Sequence, residues 1–173
     1  MKSQTRSVTL SAALIALTIV FLYLAVILPS GRMAFVAVSS LFVIAGVIEL
    51  GLGPAVLVFI SSSILGALIL PDKTAIIVYA LFFGYYPIIK SLAEKQRSKV
   101  LQWVIKLAVF NAAFTVVWFL FKTILFDSKY LETRLVLVYP AINLVFIIFD
   151  IGLTRLISYY IVRIAKVLRK NKQ

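Results

Sequence analysis

Residues 8–28 read VTLSAALIALTIVFLYLAVIL, a run of 21 residues without a charged side chain. A helix rises about 1.5 Å per residue, so about 20 apolar residues cross the roughly 30 Å hydrocarbon core of a bilayer. Lys2 and Arg6 precede the run, as in a signal peptide. The run is longer than a typical signal-peptide core, however, and no small-x-small cleavage motif follows it. The sequence predicts a retained first membrane helix and no cleaved signal peptide.

Five more apolar runs follow, separated by turn-forming or charged residues. Apolar residues make up 63% of the chain and charged residues 14%, a ratio that a soluble domain of this size cannot bury in one core. We therefore predict an all-α integral membrane protein, a single domain (residues 1–173) with a bundle of about six transmembrane helices. The predicted spans are residues 8–28, 33–50, 54–70, 74–89, 100–121 and 135–162.

The fourth predicted span contains two residues that disturb a helix, Gly84 and Pro87. Proline has no backbone N–H, so Pro87 leaves the carbonyl of Phe83 without its usual helical partner. The sequence predicts a kink or an early helix end at this point.

Basic residues predict the orientation, because Lys and Arg in short loops favour the cytoplasmic side. With the N-terminus inside, 11 of the 18 basic residues fall in inner segments and 5 in outer segments, and Lys106 and Arg155 fall within spans. This distribution predicts a multi-pass protein of the cell membrane with both termini in the cytoplasm. A net charge of +12 would favour a nucleic-acid partner in a soluble chain. Because the charges here lie between predicted membrane spans, we interpret the basic inner loops as contacts for anionic lipids and predict no nucleic-acid partner.

The chain contains neither cysteine nor histidine. Disulfides, zinc–thiolate sites, cysteine nucleophiles and histidine bases are thereby excluded. The sequence also has no glycine-rich phosphate loop. We expect no enzymatic activity, no metal and no cofactor, and any energy from ATP must come from another subunit.

Polar residues form one stripe on the fifth span and another on the sixth. At 100° per residue, each stripe covers an arc of about 60°. The stripes are Asn111, Thr115, Trp118 and Lys122 on the fifth span, and Tyr139, Asn143, Asp150 and Thr154 on the sixth. If the stripes face each other, they line a small-molecule pocket that opens outward, with Tyr79 of the fourth span in its aromatic wall. The alternative is that these groups join helices by hydrogen bonds and that the aromatic residues lie at the membrane interface.

Asp150 is the only acidic residue deep in a predicted span, so it needs a partner, a cavity water or a role as a proton carrier. Lys106 and Arg155 each point about 140° away from the polar stripe of their own helix. We expect both to extend toward the inner headgroups or to contact a partner protein.

Small residues at four-residue spacing, Ala12 and Ala16, lie within the first-span sequence SAALIALTIV, and a Gly-Leu-Gly-Pro segment opens the third span. With these features, six short spans and no soluble domain, the chain resembles the substrate-binding S component of an energy-coupling factor vitamin transporter. The resemblance implies that Ala12 and Ala16 dock on a transmembrane coupling subunit driven by two ATPases. It also implies that the later helices bind a micronutrient, here through the stripes of the fifth and sixth spans. With Tyr79 from the pattern of the fourth span, the candidate ligand residues are Asn111, Thr115, Trp118, Tyr139, Asn143, Asp150 and Tyr79.

A second hypothesis is a non-catalytic membrane scaffold, similar in size and topology to the rod-shape protein of the MreD type. The basic inner loops and the small-residue faces motivate it, because both suit the assembly of partner proteins. An intramembrane enzyme is a weaker hypothesis, since one buried Asp without His, Cys or a metal cluster offers little catalytic chemistry.

Overall fold

The computed structural model describes residues 2–28, 30–125 and 132–165, and no strand occurs among them. The helices are α1 (Lys2–Ile27), α2 (Arg32–Leu50), α3 (Leu52–Ile69), α4 (Lys73–Val78), α5 (Tyr86–Ala93), α6 (Lys99–Leu125) and α7 (Glu132–Tyr159), with π-helical turns at Tyr79–Phe83 and Tyr160–Ala165.

Six helical stretches in this described part are long and apolar enough to cross a membrane. They are Gln4–Ile27, Arg32–Leu50, Leu52–Ile69, Lys73–Ala93, Lys99–Trp118 and Tyr139–Val162. Their bounds agree with the predicted spans to within four residues. The prediction of an all-α chain with six such helices is therefore confirmed.

The chain divides into two compact units, Met1–Val117 and Trp118–Gln173. In the first unit, α1, α2 and α3 pack against one another, and α4 and α5 pack on them. The core of this unit consists of buried apolar side chains from all five helices, among them Leu14, Leu22, Val36, Val43, Val58, Ala75, Ile76, Tyr79 and Ile88.

Helix α1 buries one face in this core. Leu14, Thr18, Leu22 and Ala25 are buried at spacings of three or four residues, which places them on one side of the helix. The Thr18 hydroxyl donates to the carbonyl of Leu14 at 2.8 Å, so this buried polar group is bonded within its own helix. The opposite face, which includes Val20, Tyr23 and Ile27, is exposed.

Two glycines allow the short connections around α2. Gly31 has φ of 87° before α2, and Gly51 has φ of 90° after it. Side chains with a Cβ rarely adopt positive φ, so glycine suits both turns. The backbone N–H of Gly51 donates to the carbonyl of Val47 at 3.2 Å and closes α2.

The fourth span is interrupted, as the sequence predicts. Helix α4 ends at Val78, a π-helical turn covers Tyr79–Phe83, and α5 begins at Tyr86 with Pro87 in its first turn. The missing N–H of Pro87 is harmless at a helix start, because the first N–H groups of a helix have no helical partner. The prediction of a break near Gly84 and Pro87 is therefore confirmed.

In the second unit, α7 buries Phe146, Asp150 and Leu153. Their spacings of four and three residues place them on one face of α7. Pro140 lies within α7 near the start of the sixth candidate span.

Candidate functional site

Two lysines converge on one carboxylate where the fourth span ends and the fifth begins. The Nζ atom of Lys90 lies 2.8 Å from Oε1 of Glu94, and the Nζ atom of Lys106 lies 2.9 Å from the same oxygen. Lys90 is in α5, Glu94 follows that helix directly, and Lys106 is two turns into α6. These three residues, here called the lysine–glutamate cluster, join α5 to α6.

Both lysines of the cluster are buried, whereas the glutamate is not. Lys90 is 1% exposed and Lys106 is 4% exposed, while the side chain of Glu94 keeps 40% of its surface exposed. Removing an ammonium group from water is costly unless it gains an ionic partner. Glu94 supplies such a partner to both lysines, and its exposed part remains open to solvent.

The cluster keeps Glu94 ionised. Partial burial of its carboxyl raises the pKa, but hydrogen bonds from Lys90 and Lys106 and their positive charges outweigh this effect. The pKa of Glu94 therefore lies below its ordinary value of 4.5. At neutral pH the cluster contains one carboxylate between two ammonium groups.

Trp103 gives Lys106 a further contact within α6. The Nζ atom of Lys106 lies 5.4 Å from the centre of the Trp103 ring, which is within the range of a cation–π interaction. The ammonium group is thus held between a carboxylate and an aromatic face. The sequence predicts that Lys106 extends toward the inner headgroups or contacts a partner protein, whereas the structure directs its charge at Glu94.

The interruption of the fourth span, here called the span-4 junction (residues 79–85), has a polar and aromatic lining. Ser62 Oγ donates to the carbonyl of Phe59 at 3.0 Å, so the Tyr79 hydroxyl supplies the proton for its own 3.0 Å bond to Ser62 Oγ. The rings of Phe59 and Tyr79 lie 6.0 Å apart. Tyr79 and Ser62 are both fully buried, so α3 and the junction are joined by a buried hydrogen bond.

Gly84 is required by the packing of the junction. Its N–H donates to the carbonyl of Tyr79 at 2.7 Å, which closes the π-helical turn. A Cβ at this position would lie 2.7 Å from Cε2 of Phe59 and 2.8 Å from Cζ of Tyr79. These distances are shorter than carbon–carbon contacts allow, so a larger residue would force two aromatic rings to move.

A second set of charged contacts lies at the other end of the fourth span. Arg32 Nη1 lies 2.9 Å from Asp72 Oδ2, and the N–H of Thr74 donates to Asp72 Oδ1 at 2.8 Å. The bonds from Thr74, with the charge of Arg32, lower the pKa of Asp72. Lys73 Nζ donates to the carbonyls of Ala67 and Leu70 at 2.6 Å each. These contacts fix the turn between α3 and α4.

Two of the sequence-predicted ligand residues of α6, Asn111 and Thr115, donate to carbonyls of their own helix. Asn111 Nδ2 donates to the carbonyl of Leu107 at 2.8 Å, and Thr115 Oγ1 donates to the carbonyl of Asn111 at 2.7 Å. Asn111, Thr115 and Trp118 are all partly exposed. Lys122, the outermost residue of this stripe, lies outside the part of the chain whose side chains are described.

Two side chains of the polar stripe on α7, Asn143 and Thr154, also donate to carbonyls of their own helix. Asn143 Nδ2 donates to the carbonyl of Tyr139 at 2.8 Å, and Thr154 Oγ1 donates to the carbonyl of Asp150 at 2.7 Å. Tyr139 and Asn143 are partly exposed, whereas Asp150 is 2% exposed. Tyr139 and Asn143 thus lie on consecutive turns of α7, and so do Asp150 and Thr154. The pocket between the two stripes stays a prediction.

The remaining predicted residues lie in the first unit. Tyr79 is in the core, bonded to Ser62, and its place in the wall of a ligand pocket stays a prediction. Ala12 and Ala16 are exposed on α1, and their role in docking a partner stays a prediction. Within the described residues, no group of three or more Asp and Glu lies close enough to hold a metal ion.

Sequence reasoning missed Glu94 and Trp103. A signal for Glu94 was present, because Lys90 and Glu94 are four residues apart and such pairs meet on a helix surface. The signal for Lys106 was weaker, since its partner is 12 residues away across a turn.

Comparison with known proteins gives no match, whether to a family model, to a curated protein or to a solved structure.

Proposed function

We propose that this chain is the substrate-binding subunit of a membrane transporter that takes up a small molecule. In this proposal it lies in the cell membrane with both termini in the cytoplasm. The observation that supports it most directly is the span-4 junction, where a candidate membrane helix is broken at Tyr79–Phe83 and resumes at Tyr86. Interrupted helices within membranes are typical of transporters, where they expose backbone groups to a substrate and allow parts of the bundle to move.

Polar residues within the candidate spans add to this support. Asp150 lies 11 residues into the span Tyr139–Val162, and Asn111 lies 12 residues into the span Lys99–Trp118. Polar groups at such depth are costly in a bilayer and commonly serve a substrate or ion path. We assign ligand binding to the α6 residues Asn111, Thr115 and Trp118 and to the α7 residues Tyr139, Asn143 and Asp150. Tyr79 is buried, so its contact with a ligand would require the bundle to open.

Energy for transport has to come from partners in this proposal. Ala12 and Ala16 present small exposed side chains on α1, which allow close approach of another helix. We assign this face to a transmembrane coupling subunit that associates with two ATPases. This assignment follows the resemblance to S components of energy-coupling factor transporters.

The test is native mass spectrometry of the full chain, purified gently from its own membranes. We expect a small molecule bound to the wild type, lost in Asp150→Asn and in Asn111→Ala. Asp72→Asn and Gln102→Ala are matched controls, because they make the same kind of change outside the proposed ligand residues. If both ligand-site variants retain the molecule as the controls do, the binding assignment is wrong.

The same exposed face of α1 favours one other function, a membrane scaffold of the MreD type. Such a scaffold would use Ala12 and Ala16 to bind cell-envelope proteins. A pull-down separates the two functions, since a transporter subunit recovers ATPases and a scaffold recovers envelope proteins without them. Ala12→Leu together with Ala16→Leu should weaken either association by blocking close helix approach.

A further inference from the structure

The segment that joins α5 to α6 has an unusual surface. Lys95, Arg97 and Lys99 are all exposed, and residues 95–101 contain no acidic side chain. Over residues 90–106 the chain has five basic residues and one acidic residue. Three of the basic residues on the predicted inner side of the membrane therefore lie in one short connection.

This connection is held in place by hydrogen bonds. The N–H of Gln96 donates to the carbonyl of Ala93 at 3.1 Å, and Gln102 Nε2 donates to the carbonyl of Gln96 at 2.8 Å. The N–H of Gln102 also donates to the carbonyl of Ser98 at 3.1 Å. The three cations are thus presented by a compact turn, which lowers the entropy that is lost when they bind a ligand together.

The lysine–glutamate cluster determines the charge of the turn. Glu94 is the one carboxylate near it in sequence, and this carboxylate binds the buried ammonium groups of Lys90 and Lys106. The positive charges of these two buried lysines offset the negative charge of Glu94. An anion that approaches Lys95, Arg97 and Lys99 meets little repulsion from Glu94.

Exposed apolar side chains flank the cations on both sides. Leu92 is 45% exposed, Val100 is 73% exposed and Leu101 is 44% exposed. They lie at the ends of the candidate spans Lys73–Ala93 and Lys99–Trp118. Exposed apolar residues beside cations are typical of a protein surface at the boundary between acyl chains and headgroups.

From these four observations we infer that residues 92–101 bind the phosphate headgroups of anionic phospholipids. Lys95, Arg97 and Lys99 contact the phosphates, and Leu92, Val100 and Leu101 contact the upper acyl chains. The inference rests on membrane insertion of the chain. It does not require that the protein transports a small molecule.

The test uses the full chain in mild detergent, titrated with phosphatidylglycerol, with phosphatidylcholine or with inorganic phosphate. Binding is followed by native mass spectrometry. We expect tight binding of phosphatidylglycerol, weak binding of phosphatidylcholine and no competition by inorganic phosphate at millimolar concentration. Because each basic residue near an anionic surface contributes about fivefold, R97Q/K99Q should weaken phosphatidylglycerol binding by roughly 30-fold.

The matched control is K2Q/R6Q, which removes two cations from the same predicted side of the membrane. It should change binding of phosphatidylglycerol at residues 92–101 by less than about threefold, because Lys95, Arg97 and Lys99 all remain in this variant. The inference is overturned if R97Q/K99Q binds as well as the control. It is also overturned if inorganic phosphate competes fully, since the turn would then bind free phosphate and not lipid.

Carbonate extraction of cell membranes separates a failure of this inference from a failure of the membrane assignment. Wild type, R97Q/K99Q and K2Q/R6Q should all remain in the membrane fraction. If the wild type is extracted, membrane insertion is wrong, and both the proposed function and the lipid site fail. If it remains and shows no preference for phosphatidylglycerol, only the lipid site is wrong.

Discussion

The two halves of the fourth span are held by opposite means. The half that contains α4 begins at Asp72, whose carboxylate caps the helix and pairs with Arg32 at 2.9 Å on an exposed surface. The half that contains α5 ends at Glu94, which pairs with two buried lysines. Between them the span-4 junction replaces regular α-helix with a π-helical turn.

Ion pairs of similar length contribute differently to stability, because their charges are buried to different extents. Arg32 and Asp72 keep 37% and 32% of their side-chain surfaces exposed, so water solvates both charges whether or not they pair. Lys90 and Lys106 have almost no exposed surface, so they depend on the contacts that the protein provides. We infer that the α5 half is fixed by its charges and that the α4 half is fixed mainly by its backbone cap.

Glu94→Gln should have the largest effect on stability. It removes a negative charge that pairs with two buried ammonium groups, and we expect a loss of about 2 kcal/mol, reduced from the value for a fully buried pair because Glu94 is partly exposed. Thermal unfolding in mild detergent measures this loss. Lys106→Met in the Glu94→Gln background should cost less than Lys106→Met alone. Equal costs in both backgrounds would show that the pair is not coupled.

Gly84→Ala should have the next largest effect, at the junction itself. The added methyl group would meet the rings of Phe59 and Tyr79, and we expect a loss of about 1–3 kcal/mol from overpacking. Gly53→Ala is the control, because a Cβ there has no neighbour within 4 Å. The control should be neutral or stabilised by up to about 1 kcal/mol. Similar thermal midpoints for the two variants would contradict the packing at the junction.

The sequence predicts the helices well because long apolar runs have few structural options if they lie in a bilayer. A run such as residues 8–28 can satisfy its backbone only as a helix, so length and polarity define each span. The break in the fourth span is also predictable, since Gly84 and Pro87 act locally on the backbone. Local chemistry therefore determines the spans and their interruptions.

Tertiary contacts are harder to read from the sequence. The local sequence does not indicate that Lys106 pairs with Glu94 across a turn, because a long lysine side chain can extend toward either end of its helix. Nothing local indicates either that Tyr79 bonds to Ser62, 17 residues earlier in the chain, whereas its place in a pocket wall stays a prediction. Periodicity shows which residues share a face, but the neighbour of that face depends on how the helices pack.

Acid should affect the α5 half through Glu94. Its pKa in the folded protein lies below the ordinary 4.5 because of Lys90 and Lys106, so the folded state binds fewer protons than the unfolded state. The stabilisation by Glu94 is then complete above pH 4.5 and is lost as the pH falls through the folded-state value. We expect the difference in thermal midpoint between wild type and Glu94→Gln to be constant above about pH 5.5 and to shrink below pH 4.5. A constant difference down to pH 3 would argue against the ion pairs.

Arg32→Gln should have the smallest effect, and added salt should separate it from the Glu94 variant. The Arg32–Asp72 pair is exposed, so any loss of thermal midpoint should shrink at 1 M salt, where the Debye length falls to about 3 Å. Thr74 still donates to Asp72 in this variant, which preserves the cap of α4. The loss caused by Glu94→Gln should persist in the same salt, because ions reach the buried lysines poorly. If high salt abolished both losses, the two halves of the span would be held by the same kind of surface charge, and the contrast between them would be wrong.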